Sequence, residues 1–488
     1  MIPGDGRDYD VIVVGSGCAG HCAALSAREA GAHVLVVEAA DRVGGSSRLS
    51  GAVFYAGGTR MQAAAAIADS AEAFFEHYMT FNQWLIEPCL ARAYCFGAAG
   101  TLDWLNSLGC SYRADDLYRA GIENTKRGHQ HDGYGEALID VLHNQASARG
   151  IEFVLNARVE RLLIDDGAVV GIHASGQDVR AGAVVLACGG LGTNAELRKR
   201  LFPDSVKHGW DYYVGAQSNQ GDYVALAEAA GGVLAQSTLG RGIITRASHY
   251  DRIGNDTFVP QWHCFFNALG RRFIDETANY AVLGRAIDAQ PGHRCYSVFD
   301  HETFATSDGR SFYAGPESPS WDNPNWRADM MAEMLREGHI VGAPTLGALA
   351  ERLGIHAGAL AANVERYNHW VSAGRDEQFF KDMRLTRPIA TAPFYAAEFR
   401  PATFVASSCG LEIDVQARVH DASDRPITGL YAAGEAAGGI SASYIGGGNS
   451  IGPAAVFGRI AGSHAAALVQ GRTLDSDPAS GHPTTAMV

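Results

Sequence analysis

The stretch Tyr9-Asp-Val-Ile-Val-Val-Gly15-Ser-Gly17-Cys-Ala-Gly20 decides the fold of this 488-residue chain. A β-branched run precedes the glycines, and a helical pattern follows them through Ala30. A second apolar run from His33 to Val37 then ends on Glu38, 18 residues after Gly20. Such glycines let a pyrophosphate approach a helix N-terminus, and the acid accepts hydrogen bonds from ribose hydroxyls. The spacing predicts a dinucleotide-binding unit. Its predicted contacts are Gly15, Gly17, Ala19, Gly20, Glu38 and Ala39.

Further glycine-rich segments extend this predicted binding surface along the chain. Asp41-Arg-Val-Gly44-Gly45-Ser46-Ser47 follows the terminal acid directly, and a second glycine-punctuated loop runs from Gly51 to Thr59. An apolar run ends in a glycine turn at Gly189-Gly190, and Asn219-Gln-Gly221-Asp222 opens a predicted helix. Glycine supplies positive φ and close backbone approach without a Cβ clash. The predicted contacts are Gly44, Gly45, Ser46, Ser47, Ser50, Gly51, Val159, Ala187, Gly189, Asn219, Gly221 and Asp222.

A glycine-rich loop near the C-terminus completes the predicted surface. Gly429-Leu-Tyr-Ala-Ala-Gly434-Glu435 is typical of a strand and a tight turn, and the loop that follows leads through Tyr444 to a helix predicted near Pro453. Its apolar flanks argue against a solvated surface loop. A helix N-terminus offers unpaired N–H groups to an electron-rich atom, so we predict that this backbone approaches a flat ligand. The predicted contacts are Gly434, Glu435, Asn449, Ser450 and Ile451.

Composition limits the class of protein. The chain has 47% hydrophobic residues and a net charge of −14, so a nucleic-acid or anionic-membrane footprint is not expected. Nine scattered cysteines form no CxxC pair and no metal spacing, which favours reduced thiols in the cytoplasm and no metal. Neither a signal peptide nor an apolar run of 18 residues is found, so we expect no transmembrane segment. The Ser/Pro/Thr-rich tail over 471–488 is predicted to be disordered.

The length exceeds one hydrophobic core, so two domains are expected. Short β runs over 151–155, 158–164, 168–172 and 183–187 indicate β pieces inserted into a doubly wound α/β fold. We predict a discontinuous dinucleotide-binding domain over 1–239 and 398–488. A second, smaller α+β domain is predicted over 240–397, with helices over 325–337 and 346–373.

Together these segments resemble the succinate dehydrogenase/fumarate reductase flavoprotein superfamily across most of the chain. The resemblance implies FAD as the cofactor and a substrate-binding cap domain over 240–397. Asn267-Ala-Leu-Gly270-Arg-Arg272-Phe273-Ile-Asp-Glu276 is similar to the family pattern N-x-x-G-x-R-F-x-x-E, although a hairpin with a salt-bridged rim would give the same residues. No histidine occurs between Ser46 and Gly58, where covalent members attach the flavin, so we expect noncovalent FAD.

Three substitutions distinguish this chain from the fumarate-type reductases that it resembles. Those enzymes hold a dicarboxylate with an arginine four residues after the motif glutamate, and with a histidine and a second arginine in the C-terminal loop. By counting, Tyr280, Ser441 and Ile445 stand at these positions. Tyrosine and isoleucine cannot replace bidentate pairing of guanidinium with carboxylate. We therefore predict a substrate that is uncharged where it reacts.

The run Tyr444-Ile-Gly-Gly-Gly448-Asn-Ser-Ile-Gly-Pro453 resembles the FAD-dependent 3-ketosteroid dehydrogenases. The Δ1 type fits better than the Δ4-(5α) type, although Ile445 and Gly447 replace Δ1 prolines and Gly446 replaces a Δ4 serine. The resemblance implies that the Tyr444 hydroxyl and the Gly448 N–H bind the ketone oxygen. It also implies that Tyr280 removes the α-proton and that another tyrosine supports it, for which Tyr118 and Tyr112 are both candidates.

The predicted reaction is FAD-dependent α,β-dehydrogenation of a cyclic ketone, with 1,2-desaturation of a 3-ketosteroid as the first choice. A smaller cyclohexanone-type ketone and Δ4-(5α) chemistry are alternatives within this class. A fumarate-type enoate reductase and a flavoprotein subunit without catalysis are alternatives outside it. The predicted partners are a small hydrophobic ketone and an external electron acceptor, namely a quinone, a dye or oxygen.

Overall fold

The computed structural model describes residues 8–119, 124–203, 209–248, 259–312, 320–444 and 448–474. The chain divides into two compact units. The first unit comprises Met1–Pro203, Gly215–Gly242 and Ala406–Val488, and the second comprises Asp204–Val214 and Ile243–Val405. The cofactor and substrate roles that the sequence assigns to 1–239 with 398–488, and to 240–397, stay predictions.

The described strands and helices are numbered here in chain order. The strands are β1 (Tyr9–Val14), β2 (Val34–Val37), β3 (Phe54–Tyr55), β4 (Tyr112–Tyr118), β5 (Gly128–His131), β6 (Glu152–Val154), β7 (Val159–Asp165), β8 (Ala168–Ala174), β9 (Gln177–Leu186), β10 (Tyr212–Tyr213), β11 (Gly242–Ser248), β12 (Phe265–Phe266), β13 (Cys295–Asp300), β14 (Asp308–Phe312), β15 (Ser320–Arg327), β16 (Ile340–Ala343), β17 (Phe394–Ser407), β18 (Arg418–His420) and β19 (Pro426–Ala432). The α-helices are α1 (Cys18–Glu29), α2 (Gly45–Leu49), α3 (Arg60–Ala64), α4 (Ala71–Phe81), α5 (Pro88–Ser107), α6 (Tyr134–Ala148), α7 (Ala195–Leu201), α8 (Asp222–Ala229), α9 (Tyr280–Asp288), α10 (His301–Thr306), α11 (Ala328–Glu337), α12 (Leu346–Leu353), α13 (Ala357–Ala373) and α14 (Ile451–Val469).

The first unit is built on a mostly parallel sheet with the strand order β18-β19-β9-β1-β2-β6. Strand β1 lies between β2 and β9 and pairs in parallel with both. Its residues Val11–Val14 are buried, as expected for a central parallel strand covered on both faces. Strands β7, β8 and β9 form an antiparallel meander, as predicted for inserted β pieces. The predicted pieces over 151–155 and 183–187 belong instead to the main sheet, where β6 pairs with β2 and the end of β9 pairs with β1. The prediction of an α/β dinucleotide-binding fold is confirmed.

Helices α1 and α14 pack closely beside this sheet because glycine stands at their contact. A Cβ at Gly458 would lie 2.5 Å from the carbonyl oxygen of Ala19, and a Cβ at Gly462 would lie 2.0 Å from that of Ala23. Neither approach leaves room for any side chain. The N-terminal βα unit and the C-terminal helix therefore form one packed layer.

A small three-stranded sheet, with the order β3-β5-β4, belongs to the same unit. Gly128 on β5 pairs with Tyr55 on β3 and, on its other side, with Tyr118 on β4. Because residues that are paired across antiparallel strands share a face, Tyr55 and Tyr118 belong to one row across the sheet.

The second unit is built on a six-stranded sheet in which β17 is flanked by β10 and β13 and also pairs with β11 and β16. Two predicted helices differ in the structure. Residues 325–327 end strand β15, and α11 begins only at Ala328, because Trp326 is fully buried in the core of this unit. The helix predicted over 346–373 is two helices, α12 and α13, separated at Gly354, which has φ +67°.

Neither a membrane-spanning helix nor a metal-ligand group is found among the described residues. No helix there is long and apolar enough to cross a membrane. No cluster of three or more His, Cys, Asp or Glu side chains there could hold a metal ion. All nine cysteines have free thiols.

Buried neutral histidines predict that acid destabilises the first unit. Burial lowers the pKa of His21 and of His129 from 6.5 to about 4. Between pH 6.5 and pH 4 these rings are protonated in the unfolded chain but neutral in the folded chain. The free energy of unfolding should therefore fall as the pH drops through this range. One fully buried ring of this kind contributes about 3 kcal/mol to that loss.

Urea unfolding at pH 7.5 and pH 5 checks this prediction. The urea midpoint should be clearly lower at pH 5, and His129→Gln should flatten the pH dependence. The control is His33→Gln, because the side chain of His33 is 54% exposed. Equal midpoints at the two pH values would contradict the prediction.

Candidate functional site

The turn between β1 and α1 has the geometry that the sequence predicts. Gly15 has φ +101°, and a Cβ there would lie 2.4 Å from the carbonyl oxygen of Ala187 at the end of β9. A Cβ at Gly20 would lie 2.0 Å from the carbonyl oxygen of Gly15. Gly17 precedes α1 without a side-chain cap, and the first turn carries no acidic residue. The Cys18 N–H donates to the Ser47 hydroxyl oxygen at 3.0 Å, and the next N–H groups of this turn, those of Ala19 and Gly20, suit an anionic group such as a phosphate.

Glu38 ties the end of β2 to this turn. One of its carboxylate oxygens accepts hydrogen bonds from the backbone N–H of Ser16 at 2.9 Å and from the Ser16 hydroxyl at 2.5 Å. The other oxygen accepts from the backbone N–H of Ala40 at 2.9 Å, which places Ala39 inside the same short turn. A carboxylate has further lone pairs, so Glu38 can still accept from ribose hydroxyls.

Two serines of α2 accept hydrogen bonds from segments that are distant in the sequence, namely the start of α1 and the loop before α8. Gly44 and Gly45 have positive φ and begin α2. The Ser46 hydroxyl oxygen accepts from the backbone N–H of Ala216 at 2.9 Å and from the side-chain amide of Asn219 at 3.0 Å. The Ser47 hydroxyl oxygen accepts from the backbone N–H of Cys18 at 3.0 Å.

The end of this serine segment is also fixed by hydrogen bonds. The Ser50 hydroxyl donates to the carbonyl oxygen of Ser47 at 2.8 Å. The carbonyl oxygen of Gly51 accepts from the side-chain amide of Gln130.

The end of β9 and the start of α8 meet the C-terminal turn. A Cβ at Gly189 would lie 2.4 Å from Oδ1 of Asn219, and a Cβ at Gly190 would lie 1.9 Å from Oε1 of Glu435. The N–H of Gly221 donates to the carbonyl oxygen of Gly190 at 2.9 Å. Glycine is thus required where these three segments converge.

The three remaining predicted contacts of this region lie beside that point. Ala187 follows β9, and its backbone N–H donates to the carbonyl oxygen of Val14 at 2.8 Å. Val159 begins β7 and is buried. Asp222 begins α8 and pairs with Arg158, so its carboxylate already has a cation.

Glu435 is buried in the turn after β19. Its Oε1 accepts from the backbone N–H of Ser407 at 2.7 Å and from the Ser407 hydroxyl at 3.0 Å. Burial raises the pKa of Glu435 to about 7. Gly434 has φ +73° and faces Ala19 of α1. No sequence signal marks Ser407, because it lies 28 residues away on a different strand.

Helix α14 begins at Ile451, two residues before the predicted start at Pro453. Ser450 precedes it without a side-chain cap, and its first turn has no acidic residue. Asn449 donates through its amide nitrogen to the Ser441 hydroxyl oxygen at 2.8 Å and to the Ser443 carbonyl oxygen at 2.6 Å. Its Oδ1 is buried and has no hydrogen-bond partner among the described residues. The buried acceptor Oδ1 of Asn449 thus lies two residues before the start of α14, where the N–H of Gly452 donates to the carbonyl oxygen of Gly448 at 3.3 Å.

The structure places Gly448 beside the row of tyrosines on the three-stranded sheet. Gly448 has φ +103°, and a Cβ there would lie 2.9 Å from the backbone nitrogen of Tyr55. Tyr118 belongs to the same row as Tyr55, whereas the Tyr112 hydroxyl donates to the carbonyl oxygen of Ala52 at 3.2 Å. Which of the two tyrosines supports the proposed base stays a prediction. Tyr444 is described, and Ile445, Gly446 and Gly447 lie outside the described residues.

In the second unit, the family motif forms a buried charge network. Arg272 donates to both carboxylate oxygens of Glu276 at 2.8 Å and to Asp376 at 2.7 Å. Lys381 donates to Glu276 at 3.1 Å, so two cations balance two carboxylates. The alternative of a hairpin with a salt-bridged rim holds in part, because Phe266 pairs with Arg272 across a tight turn and Arg272 pairs with Glu276. The four side chains are at most 2% exposed, so the charges lie in the core and not at a rim. Tyr280 is buried and opens α9 four residues after Glu276.

The residues of the first unit fit FAD. The open end of α1 suits a pyrophosphate, and Glu38 suits a ribose. The buried Oδ1 of Asn449, which has no hydrogen-bond partner among the described residues, suits a ring edge that carries an N–H donor.

Glu38→Ala should weaken FAD binding about tenfold or more. The substitution removes the ribose acceptor and also releases Ser16, and hydrogen bonds to a charged group contribute about 1.5–3 kcal/mol. Equilibrium dialysis followed by flavin absorbance measures the retained FAD. Glu152→Ala on the neighbouring β6 is the control, because that side chain is 54% exposed. Unchanged occupancy of the Glu38 variant would contradict the assignment.

Comparison with known proteins agrees with this geometry. Residues 10–451 match the family described as "FAD binding domain". The chain is 32% identical over 476 residues to a fumarate reductase (cytochrome) of Shewanella frigidimarina, covering 94% of this chain and 77% of that protein. It is 30% identical over 476 residues to the urocanate reductase of Eggerthella lenta, covering 94% of this chain and 75% of that protein.

Two solved structures are similar over nearly their whole lengths. A 3-ketosteroid-Δ4-(5α)-dehydrogenase from Rhodococcus jostii has a TM-score of 0.75 and 26% identity, covering 95% of this chain and 98% of that chain. A 3-ketosteroid Δ1-dehydrogenase from Sterolibacterium denitrificans has a TM-score of 0.79 and 22% identity, covering 94% and 99%, a likeness that shows the fold alone. The chain therefore belongs to the FAD-binding-domain family of the succinate dehydrogenase/fumarate reductase flavoprotein superfamily and is an FAD-dependent oxidoreductase that acts on carbon–carbon bonds.

Proposed function

We propose that this protein desaturates a cyclic ketone next to its carbonyl group, with 1,2-desaturation of a 3-ketosteroid as the first reaction to test. One observation carries the proposal: the loop that supplies arginine and histidine in fumarate-type reductases supplies no such cation here. Ser441 stands where the histidine would be, and its hydroxyl is engaged within the loop by Asn449 and Ser443. Tyr280 likewise replaces the arginine after the motif glutamate. An uncharged substrate suits these residues.

The proposed roles follow from the chemistry of a ketone. Its α-C–H bond is too weak an acid for direct loss, so donors must stabilise the developing enolate oxygen. We assign these donors to the Tyr444 hydroxyl and the Gly448 N–H. Tyr280 is assigned as the base, with Tyr118 as its support, because a phenol of ordinary pKa about 10 needs donors nearby to act near neutrality. Bound FAD supplies the acceptor for the β-hydride at N5.

A second candidate is reduction of an enoate, which is favoured by the sequence relatives. Two relatives at 30–32% identity are named as reductases, of fumarate and of urocanate. The first candidate is supported by the structural likeness to the 3-ketosteroid-Δ4-(5α)-dehydrogenase, at 26% identity. We prefer ketone dehydrogenation, because the arginines that would pair bidentately with a carboxylate substrate are replaced by Tyr280 and Ile445.

Anaerobic titration separates the two candidates. We expect a 3-ketosteroid or a cyclohexanone derivative to bleach the flavin absorbance of the oxidised protein. Fumarate should fail to reoxidise the chemically reduced protein. Rapid reoxidation by fumarate, without bleaching by any ketone, would overturn the first candidate in favour of the second. A quinone, a dye or oxygen is the proposed external acceptor, to be ranked by turnover rate.

The FAD is proposed to be noncovalent. No histidine stands between Ser46 and Gly58 to carry a covalent bond. Heat or acid precipitation should therefore leave all of the yellow colour in the supernatant. Flavin that stays in the washed protein pellet would contradict this prediction.

A further inference from the structure

The five residues that precede Tyr444 are held by side chains and backbone from the end of α4. The Tyr78 hydroxyl donates to the carbonyl oxygen of Ile440 at 3.1 Å. The backbone N–H of Glu87 donates to the carbonyl oxygen of Gly439 at 2.8 Å. The segment Gly439–Ser443, called here the approach segment, is therefore anchored by residues that lie more than 350 positions earlier in the chain.

Asn82 is the central anchor of the approach segment. Its Oδ1 accepts hydrogen bonds from the consecutive backbone N–H groups of Ala442 at 2.8 Å and Ser443 at 3.0 Å. Its amide nitrogen donates to the carbonyl oxygen of Tyr78 at 2.8 Å. The side chain is fully buried, so no water competes for these bonds. One acceptor that binds two consecutive N–H groups fixes the orientation of both peptide planes, and the second plane ends at Ser443, the residue before Tyr444.

The backbone that carries Asn82 is itself strained. Asn82 follows the last residue of α4, and the next two residues, Gln83 and Trp84, have φ +55° and +56°. Each non-glycine residue held outside its preferred region costs on the order of 1–3 kcal/mol and persists only where its surroundings fix it. A sharp turn at this point lets one short stretch bind the approach segment at both ends, through Asn82 and Glu87.

We propose that Asn82 is a positioning residue for Tyr444. It holds the approach segment so that the Tyr444 hydroxyl meets the substrate carbonyl, without touching the substrate itself. The inference rests on the proposed function, because it assumes that Tyr444 is the donor. A displacement of about 1 Å from the productive geometry can cost about 10²-fold in rate.

Two variants test the role of Asn82. Asn82→Leu keeps the volume and removes the acceptor, whereas Asn82→Asp keeps an acceptor for both N–H groups. Asn368→Leu is the control, because Asn368 in the second unit also holds backbone through its amide, accepting from the N–H of Ile389 at 2.8 Å and donating to the Ile389 carbonyl oxygen at 2.9 Å. Hydrogen exchange of the Ala442 and Ser443 amides and steady-state kinetics are measured on each holoprotein.

We expect Asn82→Leu to speed amide exchange at Ala442 and Ser443 and to lower kcat about 10- to 100-fold with little change in KM. The aspartate variant should retain the amide protection and most of kcat, and the Asn368 control should resemble the parent. Adding Asn82→Leu to Tyr444→Phe should cost nothing further, because the donor that Asn82 positions is already lost. A merely structural role would add its own loss to the double variant.

Unchanged exchange or unchanged kcat in Asn82→Leu would overturn the inference, and so would additive losses in the double variant. Should the leucine variant fail to fold, the aspartate variant decides, and loss of its amide protection together with intact kcat would count against the inference. Failure of the parent protein to react with any ketone would overturn the proposed function instead. In that case, amide exchange alone shows whether Asn82 holds the approach segment.

Discussion

Tyr280→Phe should lower the rate of ketone dehydrogenation by about 10²–10⁴-fold, the contribution of a well-placed general base. The substitution removes only the phenol hydroxyl. Without that oxygen, the proposed acceptor of the α-proton is lost. The same variant should lose exchange of the ketone's α-hydrogen with deuterated water, since that exchange needs proton removal but no hydride transfer. NMR of the ketone after anaerobic incubation with the holoprotein measures the exchange separately from turnover.

Tyr296→Phe provides the matched control for the Tyr280 variant. Tyr296 lies on β13 of the same unit, where its hydroxyl donates to the carbonyl oxygen of Leu353 at 3.4 Å. Its loss should leave exchange and turnover near the parent values. Turnover of Tyr280→Phe at the parent rate would place the base elsewhere and remove the main support for ketosteroid-type chemistry.

Tyr444→Phe should slow turnover about 10²–10³-fold, or about 3–4 kcal/mol, which is the usual cost of removing one donor to an oxyanion. Its effect on α-hydrogen exchange should be smaller than that of Tyr280→Phe, because the second proposed donor to the enolate, the Gly448 N–H, remains. Binding of a phenolic product mimic should weaken, as shown by perturbation of the flavin absorbance. The two tyrosines are thus distinguished by which measurement each substitution changes most.

Tyr431→Phe is the corresponding control in the first unit. Its hydroxyl is engaged by α14, because it donates to the carbonyl oxygen of His464 at 3.3 Å. An unchanged affinity of Tyr444→Phe for the phenolic mimic would show that Tyr444 does not contact the carbonyl oxygen.

Local spacing was sufficient to predict the dinucleotide-binding unit. Strand β1 runs from Tyr9 to Val14, as predicted, because a β-branched run before clustered glycines has few other stable conformations. Gly15 and Gly20 must be glycine, because a Cβ at either position would lie within 2.4 Å of a backbone oxygen. A requirement of this kind leaves glycines at fixed spacing, which can be recognised in the sequence. The cofactor follows from the same local signals, and the family match agrees.

Long-range contacts could not be read in the same way. Arg272 and Glu276 are four residues apart and form a recognisable motif, yet Asp376 and Lys381 complete their network more than 100 residues later. Nothing in the local sequence around either residue marks it as a partner. Asn82 is a similar case, because its two acceptor bonds reach residues of the C-terminal loop.

Helix boundaries in the second unit were missed for a related reason. The periodicity over 346–373 continues through Gly354, and a glycine alone does not show whether a helix ends. The break is set by the positive φ of Gly354 and by His356, which accepts from the N–H of Ala359 at 3.1 Å and begins α13. Residues 325–327 are extended because burial of Trp326 outweighs the helical pattern.

The packing of α1 against α14 has a consequence for biosynthesis. Strand β9 pairs with β19, and α1 packs through Ala19 and Ala23 against Gly458 and Gly462 of α14. The first βα unit therefore stays incomplete until the ribosome has made residues 426–469. Glu435 and Asn449, two of the predicted FAD contacts, are also synthesised in this last stretch. A nascent chain that stops before β19 therefore exposes an apolar helix face, which is a target for chaperones. FAD loading must accordingly follow the synthesis of residues 426–469, because the binding surface is incomplete before them.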